Sequence, residues 1–175
     1  MAKFVINAGH CKTGAGSGAI GYIKESDETR KVVTAVKRYL EMKGHEVVLA
    51  NVDKAASQSD YLYKVVDLAN QHPDAKRFIS IHFNAGKGRG CEVFTWKGNK
   101  TVPAVGICEE LNKLGFRNRG VKRGDHLFVI KRTAIPALLV EVCFVDDRLD
   151  YELYKALGVN LVAQAITRGI LKGDC

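Results

Sequence analysis

Three apolar segments of this chain run into, or enclose, a histidine or a glutamate. FVINA leads into Gly9-His10, RFISI ends at His82, and ALLVEV carries Glu141. Segments this rich in Val, Ile, Leu and Phe read as buried strands. A strand that spends its length on core residues and then presents an ionisable group offers that group at a sheet edge. In α/β proteins such edges are where loops converge on ligands. The fold must therefore bring these strands together with their ionisable groups on one side.

The remaining segments supply such a fold. Strands are expected over 3–8, 45–50, 76–82, 91–96, 127–130 and 137–143. Helices are expected over about 26–43, 59–71 and 101–115, then a short helical turn near 149–157 and a last helix over 159–171. Gly44 and Gly115 stand where helices stop, and Pro103 lies near a helix start. Strands and helices alternate without a linker or an internal repeat. The 175 residues are thus expected to form one α/β domain with a mixed or mostly parallel sheet.

Charge and cysteines narrow the setting. The net charge of +8 implies either an anionic partner or a generally basic, solvated surface. Its densest stretch holds Arg117, Arg119, Lys122, Arg123, Lys131 and Arg132. No zinc-finger spacing, aromatic RNA-binding signature or long basic helix accompanies it, so nucleic acid is not expected as a partner. Five cysteines (Cys11, Cys91, Cys108, Cys143 and Cys175) form no CxxC pair and read as reduced thiols of a cytosolically made chain. No secretory signal and no stretch of membrane-spanning length is apparent, which gives an expectation of a protein made in the cytoplasm without membrane insertion.

Gly16-Ser17-Gly18-Ala19-Ile20-Gly21 matches GxGxxG, and Asp53 follows the second strand where a ribose-binding acid belongs. A dinucleotide fold needs the first glycine directly after strand one and the helix opening inside the motif. Here strand one ends near Ala8 and the helix starts only after Gly21. The spacing opposes that reading.

The histidines and carboxylates fit a metal-dependent hydrolase better. A catalytic zinc needs three protein ligands, an open position and a nearby carboxylate that is not a ligand. His10 and His82 would be held stiffly by their strands. Glu25, Asp27 and Glu28 are available as the third ligand. Of these, Glu25 just before the helix can turn back toward His10, whereas Glu28 suits the helix dipole. Glu141 in a buried apolar strand is costly unless it faces a charge. Structural alternatives stand beside each residue: His10 as a loop histidine, His82 as a hydrogen-bonded core histidine, Glu141 paired with Arg132. Cys11 and Cys143 flank the site and are conceivable thiolate ligands. His45, His72 and His126 read as surface or packing residues.

With those residues in view, the chain resembles the zinc-dependent N-acetylmuramoyl-L-alanine amidases, the type 3 amidases of bacterial autolysins and phage endolysins. FVINAGH, KES-DET, FISIHFNA and NRGVKRGDHLFVIKRTAIPALLVEVCFVDD carry the likeness nearly end to end. The resemblance implies a zinc ion (Zn2+) bound by His10, Glu25 and His82, with Glu141 as the catalytic carboxylate. Asn84 would contact substrate or support the ligand loop. It also implies a single three-layer α/β domain over 1–175, with about six mostly parallel or mixed strands flanked by helices. The implied partner is bacterial peptidoglycan, with anionic wall polymers meeting the basic stretch, and the chain acting as a monomer. The setting is a phage or prophage endolysin reaching the wall through a holin-type pore or on lysis; a mother-cell autolysin and a non-catalytic wall-binding module are the alternatives. Relatives usually carry a separate wall-binding domain, so the chain reads as an isolated catalytic domain. Two departures stand out: Cys143 where the family often has glycine, and Asp146-Asp147 in place of the common Ser-Asn.

Overall fold

A computed structural model describes residues 1–14 and 16–172. Six strands form one sheet: β1 (Lys3–Ala8), β2 (Glu46–Leu49), β3 (Arg77–Asn84), β4 (Cys91–Thr95), β5 (Asn118–Arg123) and β6 (Ala137–Phe144), in the order β2-β1-β3-β6-β4-β5. Strands β2, β1, β3 and β6 run parallel, β4 pairs antiparallel with β6, and β5 runs parallel to β4. Five helices flank the sheet: α1 (Glu25–Met42), α2 (Gln58–Asn70), α3 (Val102–Lys113), α4 (Phe128–Arg132) and α5 (Arg148–Leu171).

Side chains alternate across a strand, so each strand feeds two cores. Phe4, Ile6, Ile79, Ile81, Leu138 and Val140 pack with the apolar stripes of α1, α3 and α5. Val5, Phe78 and Leu139 pack on the opposite face with α2 and α4. That second layer is thinner, and it belongs to the same face as Asn7, Ser80, His82 and Glu141. The smaller helical cover leaves space over the C-terminal ends of β1, β3 and β6, where the sheet opens.

The expected six strands are found, but one of them is a different segment. Leu127–Ile130 was expected as a strand; Phe128–Arg132 is a helix that buries Val129 and Ile130 against the sheet. A short apolar run fits either state, and here it forms a helical turn that covers one face of the sheet. The strand not anticipated is β5, NRGVKR, which lacks apolar alternation because it lies at the edge and is partly solvated on both faces. Its charges also deter pairing with another chain. The two expected C-terminal helical pieces are both present, joined at a kink where Gly158 takes φ 72°. The Asp146-Asp147 pair, one of the two departures noted above, has structural uses. Asp146 accepts hydrogen bonds from the Gly86 and Lys87 amides at 2.9 Å, and Asp147 caps α5 by accepting from the Asp150 amide at 2.9 Å.

The first four cysteines are free and buried, and Cys175 lies outside the described residues. Burial raises the Cys11 and Cys143 thiols, the latter well above its ordinary value, which makes them packing residues.

Helices α3 and α5 are joined through Glu110. It is 4% exposed and takes Lys113 at 2.6 Å, Arg168 at 2.7 Å and Lys172 at 3.2 Å. Lys113 above all, with Arg168 and Lys172, outweighs burial and lowers the carboxyl from 4.5 to about 2. A shift of that size has a ceiling of roughly 3 kcal/mol. The partners are mostly exposed, so solvent screening reduces it to about 1–2 kcal/mol. Because the folded carboxyl is the more acidic, this contribution is complete above about pH 4.5 and is lost as the pH falls toward 2. Urea unfolding of Glu110→Gln should show a loss of about 1–2 kcal/mol at neutral pH, with the gap to the parent protein closing over that acidic window.

Candidate metal and acid-base site

Register brings the strand-end residues together. β1 lies beside β3 and β3 beside β6, with His82 directly opposite Glu141. His10 follows β1 in the left-handed region at φ 69°, a costly conformation for a residue with a side chain. It is held there by its neighbours: the Gly9 amide donates to the Ile81 carbonyl at 2.8 Å, and Arg30 reaches the His10 carbonyl at 3.2 Å.

Glu25 opens α1 and is 3% exposed. Its Oε2 accepts from the Ala19 amide at 2.9 Å, and its Oε1 from the Phe83 amide at 3.1 Å. The same two oxygens face the histidines, Oε2 at 3.1 Å from His10 Nε2 and Oε1 at 3.2 Å from His82 Nδ1. Burial alone would raise the Glu25 carboxyl, but its polar contacts with His10 and His82 prevail and hold it well below the usual carboxylate range. Burial lowers His82, against the opposing pull of Glu25.

The arrangement fits a cation. His10 Nδ1 lies 3.1 Å from the Gly16 carbonyl, which can only accept, and a single ring proton held there would leave Nε2, 3.1 Å from Glu25 Oε2, as the ligand atom. One ligand atom from each of His10, Glu25 and His82 falls within 4.8 Å of the others. Two imidazoles and one carboxylate form a zinc-type donor set. Asp27 and Glu28 stay out of it: Asp27 pairs with Lys24, and Glu28 with Lys31 and the Tyr154 hydroxyl. Neither Cys11 nor Cys143 joins the triad.

Glu141 lies across the strand pair from His82, and both line a cleft of about 370 Å³ with His10, Tyr61, His126 and Leu127. Its Oε2 is shielded from solvent and has no hydrogen-bond partner among the described residues. No ion pair with Arg132 forms; the Arg132 carbonyl accepts from Asn70 instead. Burial first, then the negative charges of Glu25 and Glu92, push the Glu141 carboxyl well above its ordinary value. A half-buried carboxyl with one shielded, unpartnered oxygen beside a cation-type donor set is equipped for proton transfer.

With a family model for N-acetylmuramoyl-L-alanine amidases, the match runs over residues 4–172. The chain belongs to this family. The endolysin of Bacillus phage SPP1 is 33% identical over 97% of this chain and 65% of its own length. The N-acetylmuramoyl-L-alanine amidase CwlM of Bacillus licheniformis is 32% identical over 99% of this chain and 67% of its own. Among solved structures, the catalytic domain of the CD27L endolysin targeting Clostridia Difficile superposes with a TM-score of 0.90 at 26% identity, covering 98% of this chain and 97% of that one. Two Clostridium perfringens relatives are longer, and the chain spans about half of each, 51%.

Several residues take parts that the sequence reading did not assign to them, and Glu92 was not singled out there. His126 lines the cleft rather than the general surface, edge-on to Phe94 at 6.1 Å. Asn84 donates to Glu92 Oε1 at 2.8 Å, and Glu92 Oε2 takes Arg119 at 2.8 Å, forming a buried network one strand beyond Glu141. The GxGxxG look-alike has a packing role: a Cβ on Gly18 would stand 2.7 Å from Glu25 Oε2 and 2.9 Å from the His10 ring. Gly9 is equally constrained, since a Cβ there would overlap the His82 ring. The signal for Gly9 was its place beside His10. Gly9→Ala must displace His82, so zinc uptake measured by chelator competition should weaken at least about tenfold, with about 1–3 kcal/mol lost from folding. Unchanged affinity would show that His82 is not held by this contact.

Proposed function

We propose that this chain is the catalytic domain of a zinc-dependent N-acetylmuramoyl-L-alanine amidase. Its substrate would be bacterial peptidoglycan, cleaved at the amide between N-acetylmuramic acid and the L-alanine of the stem peptide. The observation that carries this reading is the half-buried Glu141 carboxyl, whose Oε2 is shielded and unpartnered among the described residues, opposite His82 at the edge of a His-Glu-His set. Family membership supplies the substrate class.

His10 Nε2, His82 Nδ1 and a Glu25 oxygen would hold the zinc. When bound, zinc supplies Lewis acidity, polarising the scissile carbonyl and making water a better nucleophile at neutral pH. Glu141 accepts the proton of the attacking water and returns it to the leaving L-alanine nitrogen. Tyr61, Leu62, Leu127 and Val129 line the cleft and limit bulk water around the reacting groups. Asn84 supports rather than reacts, because its amide is engaged by Glu92.

An endolysin is the favoured setting, supported by the TM-score of 0.90 to an endolysin catalytic domain and by the phage SPP1 relative. In that setting the enzyme acts as a monomer on the wall after release from the cytoplasm. Among the described residues no helix is long and apolar enough to cross a membrane.

Digestion of purified walls followed by mass spectrometry should yield stem peptides beginning with free L-alanine; cleavage elsewhere in the stem would overturn the assignment. Glu141→Gln should reduce the rate by about 10²–10⁴-fold while keeping the fold and zinc uptake. Near-parental activity in that variant would remove Glu141 from the mechanism.

A further inference from the structure

We propose that Asn7 and Ser80 are positioning residues that fix the tautomer of His82, so that its Nδ1 is free for the metal. This rests on the metal reading above and adds to it a set of directional hydrogen bonds on the core side of the ring.

The chain of bonds begins at the Ala50 carbonyl, which can only accept. Asn7 Nδ2 donates to it at 2.8 Å, which sets the orientation of the Asn7 amide. Asn7 Oδ1 therefore points the other way, toward Ser80 Oγ at 2.8 Å, with the Tyr61 hydroxyl at 3.4 Å. Ser80 has one hydroxyl proton, and Asn7 Oδ1 takes it. The Ser80 oxygen is left as an acceptor, 3.0 Å from His82 Nε2. An imidazole with one ring proton then carries it on Nε2, and Nδ1 presents its lone pair.

Every member of this relay is inside the protein. Asn7 and Ser80 have no solvent exposure, so water cannot repair a reversed bond. The opposing influence is Glu25 Oε1, which at 3.2 Å from Nδ1 would favour a proton there. That tautomer would force the Ser80 hydroxyl toward His82 and set two oxygen lone pairs face to face at 2.8 Å between Ser80 and Asn7. Strand geometry supplies the alignment: Ser80 and His82 are two apart on the same face of β3, and Asn7 is directly opposite Ser80 on β1.

The experiment uses the metal-free chain and Zn2+ itself. Nitrogen NMR of the wild-type protein at neutral pH should show His82 protonated on Nε2. Ser80→Ala should lose that preference and bind Zn2+ about 10–100-fold more weakly in chelator competition. Ser80→Thr, which keeps the hydroxyl, should retain both properties. A wild-type His82 protonated on Nδ1 overturns the proposal, whether or not the variants fold, as does Ser80→Ala binding Zn2+ as tightly as the parent. Wild-type protein with the Nε2 proton but no Zn2+ uptake supports the relay and instead overturns the metal reading.

Discussion

The structure turns on a buried carboxylate. Glu25 sits at the start of α1 with two backbone amides feeding its oxygens and two imidazole nitrogens turned on the same atoms. Taking such a group out of water is costly unless its charge is answered. The answer requires β1, α1 and β3 to be in place together, because Glu25 opens α1, His10 follows β1, Ala19 lies in the loop between them, and His82 and Phe83 belong to β3. The left-handed backbone at His10 and the two crowded glycines follow from the same requirement. They bring main chain and ring close enough for the donor atoms to meet.

Charge is divided across the cleft. On one side Glu25 is kept strongly acidic by its polar neighbours; on the other, Glu141 is kept weakly acidic by burial and by nearby negative charge. The two glutamates thereby take opposite protonation tendencies. One suits a ligand, and the other suits a group that must accept and release a proton. Glu92 contributes to this contrast from the neighbouring strand, and Arg119 and Asn84 keep it in place.

Much of this was legible from the sequence because burial in a parallel sheet leaves a strong mark. FVINA, RFISI and ALLVEV could only be interior strands, and an ionisable group at the end of each pointed to one edge. Glu25 was legible as a candidate among three, and the resemblance singled it out. The edge strand β5 was not legible, since a solvated strand carries no apolar period, and LFVI misled because a short apolar run has no intrinsic preference between strand and helix. Asn7 and Ser80 were visible as polar residues inside apolar strands. Their partnership depends on β1 and β3 lying side by side in a particular register, which no local pattern encodes.

The two rims of the sheet have a further consequence for solution behaviour. At one rim β2 is only four residues long, and at the other β5 carries two arginines and a lysine. Neither offers an apolar template on which a second molecule could extend the sheet. A short rim and a charged one both disfavour strand-to-strand pairing between molecules. That restraint sits at the periphery of the sheet, far from the residues that would do the chemistry.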